Sequence, residues 1–201
     1  MNRIDVINKI IQKKNLRSYL EIGVSKGESF NRIICDRKKG VDPAPADKEY
    51  SGEIYKMTSD EFFKQNETQF DIIFVDGLHL YEQTVLDMVN GFQFLNTNGF
   101  IVLHDCLPES EQMAGRIDCG LWTGDVYKAI FWFKDLYSHV PCFVLKCDYG
   151  CGVIHKTSRM NIYDPNSILS YNDLDYIFLM NNLNKLNIKS PDYLEEYLKG
   201  N

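Results

Sequence analysis

Apolar positions along the chain switch between two spacings, and the switches mark out its elements. Residues 2–14 set Ile4, Ile7 and Ile11 on one face with Ile10 beside them, the spacing of an amphipathic helix. "SYLEIG" then reads as a first buried strand. "SFNRIICD" returns to helical spacing, with Phe30, Ile33 and Ile34 inward. "KGVDP" predicts a short second strand ended by Pro43 and Pro45, and "GEIYKM" a third. Thr58-Ser59-Asp60 marks a helix start before "EFFKQN". "FDIIFVDG" is the clearest strand, a near-continuous apolar run of the kind buried on both faces. "YEQTVLDMVNGFQFL" spaces Val85, Met88, Val89 and Phe92 for one helix face. Asn98-Gly99 reads as a turn and "FIVLHD" as the fifth strand. "GDVYKAIFWFKDLY" predicts a helix capped by Asp125 or Thr123. "CFVLKC" and "CGVIHK" flank "DYG" as an antiparallel hairpin. Residues 157–170 read as loop, followed by short helices in "LDYIFLMNNLN" and "PDYLEEYLK".

Strands alternating with helices imply an α/β domain with a mostly parallel sheet. It is expected over residues 1–156, with 157–201 as a helical tail that acts as a lid or packs against the body. A length of 201 residues fits one domain, and 44% apolar residues are enough for a core. The formal charge is −6 and the densest basic run is only Arg37-Lys38-Lys39, which argues against a nucleic-acid groove. Charged residues interrupt the first fifteen positions, so no secretion signal is expected there. No stretch approaches the roughly 20 apolar residues of a membrane span. These features point to the cytoplasm, and to no membrane partner. The six cysteines (Cys35, Cys106, Cys119, Cys142, Cys147 and Cys151) follow no framework and are expected as thiols there. Cys147 and Cys151 lack partners for a metal site and read as small buried hydrophobes.

In parallel sheets, ligands bind beyond the carboxyl ends of the strands, where strand order reverses. The polar residues at the predicted strand ends are Glu21 and Gly23, Asp42, Ser59 and Asp60, Asp76 with His79, and His104 with Asp105. Acids are costly beside a buried sheet unless they are paired or used. A dinucleotide site needs G-x-G-x-x-G, whereas Gly23 and Gly27 are spaced G-x-x-x-G. A NAD-dependent enzyme on a similar sheet therefore lacks its fingerprint, and Glu21 would repel a phosphate. S-adenosylmethionine carries a sulfonium and an ammonium and no phosphate. Asp42, nineteen positions after Gly23, is suited to accept from both ribose hydroxyls, and Ser59 and Asp60 to meet the adenine edge.

With these residues in place, the chain resembles the class I S-adenosylmethionine-dependent methyltransferases over residues 15–156. The strongest parts are "YLEIGVSKGESF", "GVDP", "DIIFVDGLHLYEQTVLDM", "NGFIVLHDC", "TGDVYKAI" and "DYGCGVI". Together they look like the small bacterial-type branch similar to macrocin and catechol O-methyltransferases. The resemblance implies a Rossmann-like, doubly wound sheet of seven strands, the last hairpin strand antiparallel. It implies that Glu21, Gly23, Ser25, Gly27, Asp42, Ser59 and Asp60 line the cofactor site, with Asp76 at its edge. Relatives of this type hold Mg²⁺ by carboxylates after the fourth and fifth strands, the places of Asp76 and Asp105. Where they carry a second acid or an amide, this chain has His104 and Cys106. A metal set of Asp76, Asp105 and His104 would favour a softer divalent ion over Mg²⁺, or the site holds no metal at all.

Methyl transfer requires an acceptor oxygen held in line and relieved of its proton. His79 and His104 are the candidate bases, with Asp76 as a third catalytic candidate, although Asp76 and Asp105 could instead cap the neighbouring segments of chain. His139 and His155 read as ordinary histidines, and Glu82 and Asp87 as solvated helix positions. Trp122 either stacks on a substrate ring or packs. The expected enzyme methylates a hydroxyl of a small molecule, a sugar or sugar-containing metabolite, because the site is acidic with few aromatic walls. An amine or phenolic acceptor, or a non-catalytic nucleotide-binding module, are the alternatives. The expected partners are that small molecule and, for assembly, a second copy of the chain.

Overall fold

An eight-stranded sheet runs through the computed structural model, which describes residues 1–118, 120–160, 162 and 171–200. Its strands are β1 (Ser18–Ile22), β2 (Arg37–Val41), β3 (Glu53–Tyr55), β4 (Phe70–Val75), β5 (Leu95–Leu103), β6 (Cys142–Leu145), β7 (Cys151–His155) and β8 (Ile188–Lys189). Their spatial order is β3-β2-β1-β4-β5-β7-β6-β8. Only β7 runs antiparallel to its neighbours, β5 and β6. The helices are α1 (Arg3–Lys14), α2 (Ser59–Gln65), α3 (Tyr81–Phe94), α4 (Tyr127–Leu136), α5 (Tyr176–Asn181) and α6 (Tyr193–Gly200). The chain winds outward from β1 to β3, then returns to β4 beside β1. The reversal opens a crevice at the carboxyl ends of those two strands.

Side chains alternate across the sheet. Leu20, Ile73 and Ile101 enter one core with Val85, Met88 and Phe92 of α3 and the aromatic side of α4. Tyr19, Phe74 and Val102 enter the other with Ile4, Ile7, Ile10 and Ile11 of α1 and Leu194 and Leu198 of α6. The Rossmann-like architecture expected from the sequence is present, with one strand more. β8 pairs only through two residues with β6, too few to leave a sequence signature.

Three local expectations change. "SFNRIICD" forms a single 3-10 turn, Phe30–Arg32, and Ile34 is 79% exposed. Lys38 Nζ takes the Phe30 and Ile33 carbonyls at 2.8 and 2.9 Å, and Asn8 takes the Ile34 amide at 2.8 Å. Those groups are thereby withheld from a helical ladder. The turn expected at Asn98-Gly99 lies within β5, where Asn98 adopts φ 65° and the register with β4 shifts. Finally, α4 starts without a side-chain cap. Asp125 instead accepts the Tyr81 amide at 2.7 Å, so it serves the start of α3. Thr58 does cap α2, in a reciprocal box with Glu61.

The tail packs along the body. Lys13 pairs with Glu195 at 2.7 Å, Lys14 Nζ donates to the Leu198 carbonyl at 2.8 Å, and Phe178 of α5 meets Phe131 of α4 edge-on. No described residue beyond 156 lines the crevice. Cys35, Cys106, Cys142, Cys147 and Cys151 are free thiols; Cys119 lies outside the described residues. Among the described residues no helix is long and apolar enough to cross a membrane.

Candidate active site

The crevice at the reversal has a volume of about 880 Å³, and Glu21, Gly23, Ser25, Asp42, Ser59, Asp60, Asp76, His79, His104 and Asp105 all line it. Gly23 sits at φ 90°, and a Cβ there would overlap the Asp76 carbonyl oxygen. Only glycine lets the β1 turn lie this close to the end of β4. Gly27 does not line the crevice. It adopts φ 67° against the Tyr50 ring, 2.6 Å from where its Cβ would be, and so shapes the turn from behind. Asp42 accepts the Ser25 amide at 2.7 Å and the Ala44 amide at 2.7 Å, tying the end of β2 to that turn.

Ser59 and Asp60 begin α2, and Gln83 Nε2 lies 3.3 Å from Ser59 Oγ and 3.1 Å from Asp87 Oδ1. Asp87 lines the crevice and is 1% exposed, which overturns its reading as a solvated helix residue. Burial, reinforced by Asp60 against the opposing bonds from Ser59 and Gln83, pushes its pKa up to about 7. Its signal was its place on α3 between buried Thr84, Met88 and Gly91. Glu82 remains at the surface, paired with Arg116 at 2.9 Å.

Glu21 is buried at the end of β1 and accepts from the Tyr19 hydroxyl. Burial, only partly offset by that bond and reinforced by Asp76, pushes its pKa up to about 8. The ends of β4 and β5 behave differently. His104 Nδ1 lies 3.2 Å from Asp76 Oδ1 and 3.1 Å from Asp105 Oδ1. Its Nε2 is 3.5 Å from Asp148 Oδ2 and 3.1 Å from Arg3 Nη1. Burial alone would lower the His104 pKa, but the bonds to Asp105, Asp148 and Asp76 outweigh it and push it up to about 12. Burial likewise works against the Asp76 carboxylate, yet His104 and His79 hold it well below the usual range.

His79 lies with Nε2 3.4 Å from Asp76 Oδ1 and Nδ1 3.3 Å from Asp105 Oδ2. Its pKa is raised: burial pulls it down and the two carboxylates more than compensate. Trp122 lies against the His79 ring, centroids 5.2 Å apart, and also lines the crevice, so it both packs and faces the ligand space. A Cβ on Gly124 would overlap the His79 carbonyl oxygen, and Asp125 bonds Arg116 at 2.8 Å. Residues 122–125 are thereby fastened beside His79.

Asp148 and Arg3 are site residues that the sequence pattern did not reveal. Asp148 and Tyr149 adopt φ 48° and 57°, ahead of Gly150 at 93°. The Leu107 amide reaches the Tyr149 carbonyl at 2.7 Å, which seats this turn beside the end of β5. The only available cue was "DYG", read as a hairpin turn. Of the other histidines, His139 is exposed. His155 stacks on Phe100 at 4.2 Å, and its pKa is lowered to about 4 by burial and then Lys14.

Among the described residues, Asp76, His79 and Asp105 each offer one donor atom, all within 4.8 Å of one another. Two carboxylates and an imidazole suit a divalent cation. His104, expected in the metal set, is not one of these three donors: its ring nitrogens lie against Asp76, Asp105 and Asp148.

Residues 20–106 match the model of a family described as a methyltransferase domain, a span that holds every strand-end residue from Glu21 to Asp105. That match covers under half of the 201-residue chain. Solved structures share its fold. An O-methyltransferase from Bacillus cereus in complex with SAH is 12% identical, with a TM-score of 0.55 over 77% of this chain and 80% of that one. The SAH-bound Podospora anserina methyltransferase PaMTH1 is 14% identical, with a TM-score of 0.59 over 78% of each chain. The O-methyltransferase TomG from Streptomyces achromogenes, involved in tomaymycin synthesis and in complex with SAM, is 10% identical, with a TM-score of 0.55 over 78% of this chain and 80% of that one. No curated protein matches the sequence. The glycine turn and the acid-histidine cluster face one crevice.

Proposed function

We propose that this methyltransferase transfers the methyl group of S-adenosylmethionine to a hydroxyl of a small molecule, a sugar or sugar-containing metabolite. The observation that carries the reading is the meeting, in one crevice, of the β1 glycine turn, Asp42 and Ser59-Asp60 with the Asp76–His79–Asp105 group. The ribose hydroxyls bond Asp42 and the adenine edge meets Ser59 and Asp60. The sulfonium end then lies toward Asp76. Glu28, Asp118 and the flat ring of Trp122 line the remaining space, acceptors and a stacking face suited to a polyhydroxylated ring.

His79 takes the acceptor proton. It borders the open crevice, and Asp76 and Asp105 stabilise the imidazolium it becomes. His104 is excluded from that role, since three carboxylates keep it protonated. Asp76 and Asp105 orient the base.

A second reading is carried by the donor set. Asp76, His79 and Asp105 would together hold a divalent cation, with His104 fixing the carboxylates from behind. Such an ion supplies Lewis acidity that lowers the acceptor hydroxyl's pKa.

Titration calorimetry with S-adenosylhomocysteine is expected to show binding to the purified protein. Asp42→Ala should weaken it by about 10- to 100-fold, the scale of charge-assisted hydrogen bonds. No heat from folded wild type at high ligand concentration defeats the first reading. Repeating the titration with Mn²⁺ in place of the nucleoside tests the second, which fails if no ion binds.

A further inference from the structure

An S-adenosylmethionine molecule ends in an amino acid, a zwitterion. Acids in the crevice suit its ammonium but would repel its carboxylate, and Glu21 and Asp76 flank the place where that end must lie. Arg3 and Lys26 line the crevice. Lys26 is exposed, whereas the Arg3 side chain is 26% exposed and fixed on several sides. Its backbone amide donates to Asp148 Oδ2 at 2.8 Å and its Nη1 to the same oxygen at 3.1 Å. Its Nε donates to Ser29 Oγ at 3.0 Å, and Ser29 follows the β1 glycine turn and is 6% exposed. Nη2 bonds no described residue.

We propose that Arg3 anchors the carboxylate of the cofactor's amino-acid portion, with the Ser29 hydroxyl beside it. The assignment rests on the S-adenosylmethionine reading above. A guanidinium presents paired donors to a carboxylate. Here the protein has already immobilised it, so little side-chain entropy remains to be lost on binding. Arg3 also lies 3.8 Å from Asp76, where it shields an incoming carboxylate from that acid. The first turn of α1 is thus a wall of the cofactor site.

The test compares three nucleosides by calorimetry: S-adenosylhomocysteine, its decarboxylated amine analogue, and methylthioadenosine, which lacks the amino-acid portion. Wild type should bind the first about 10- to 100-fold more tightly than the second, the scale of a hydrogen bond to a charged group. In Arg3→Gln this gap should close while methylthioadenosine binds as in wild type. In Arg3→Lys, which keeps the charge and loses the fork, the gap should narrow without closing. Three outcomes overturn the proposal: no gap in wild type, a gap unchanged in the variants, or an equal loss for all three nucleosides in Arg3→Gln. If Arg3→Gln does not fold, the wild-type gap and its narrowing in Arg3→Lys decide. If folded wild type binds none of the three, the S-adenosylmethionine reading itself has failed and the assignment falls with it. Binding of methylthioadenosine without a gap removes the Arg3 role alone.

Discussion

Glu21 and Asp76 lie at the ends of neighbouring strands, on either side of the Ile22–Val75 pair that closes the register of β1 and β4. Both line the same crevice, but they are held in opposite states. The side-chain partner of Glu21 is a phenol, and burial pushes its pKa up to about 8. The side-chain partners of Asp76 are two imidazoles and a guanidinium, and its pKa is driven down. What differs is whether a cation is built in beside the acid. The β4–β5 side has cations built in beside its acids, whereas on the β1 side burial favours the protonated form of Glu21. A row of acids in the sequence is therefore not a row of negative charges in the free protein.

The largest effect should come from removing the most buried of the cations on the β4–β5 side. His104→Ala takes away the one side chain that contacts Asp76, Asp105 and Asp148 together and should destabilise the protein by about 3–5 kcal/mol in urea unfolding. A loss under about 1 kcal/mol would mean that these acids are not held as an ion cluster, and the contrast with Glu21 would vanish.

A smaller effect is expected on the other side. The folded Glu21 pKa of about 8 lies above the ordinary 4.5, so the folded state keeps a proton that the unfolded chain has shed. Its contribution to stability is therefore present at low pH and declines as pH rises from about 4.5 to about 8. The decline amounts to at most about 2.7 kcal/mol between pH 5 and pH 7. Unfolding curves for wild type and Glu21→Gln should diverge by up to that amount over this window, the variant lacking the decline. Parallel curves would show that Glu21 is already ionised.

Smallest is the proton itself. Binding of S-adenosylmethionine at pH 7 should release up to about one proton as Glu21 ionises opposite the ligand's positive charge. Calorimetry in two buffers of different ionisation enthalpy measures this number, and Glu21→Gln should abolish it. Release that survives in the variant would assign the proton to another group.

Much of this site was legible in short segments. Glu21, Asp42, Asp76 and Asp105 are each placed by the strand that carries or precedes them, and an apolar run ending in an acid shows this without knowledge of the tertiary fold. Arg3 and Asp148 were not legible. They meet across 145 positions of chain, and Arg3 meets His104 across 101, separations at which local pattern carries no information. Asp87 was misjudged for a related reason: helical spacing of apolar residues identifies one face, but not how far burial extends around it. Ile34 failed in the opposite sense, since side chains elsewhere captured the backbone groups its helix needed. The proposal of His79 over His104 as base rests on the positions of three carboxylates, two of them from different strand ends and one from the β6–β7 turn.

α1 lends Arg3 to the crevice and is itself clasped by α6, through Lys13 and Glu195 and through buried Leu194 and Leu198. In order of synthesis, α1 completes this packing only when residues near position 195 have emerged. The helix that lends one wall to the crevice therefore depends on a segment some 180 residues further along the chain.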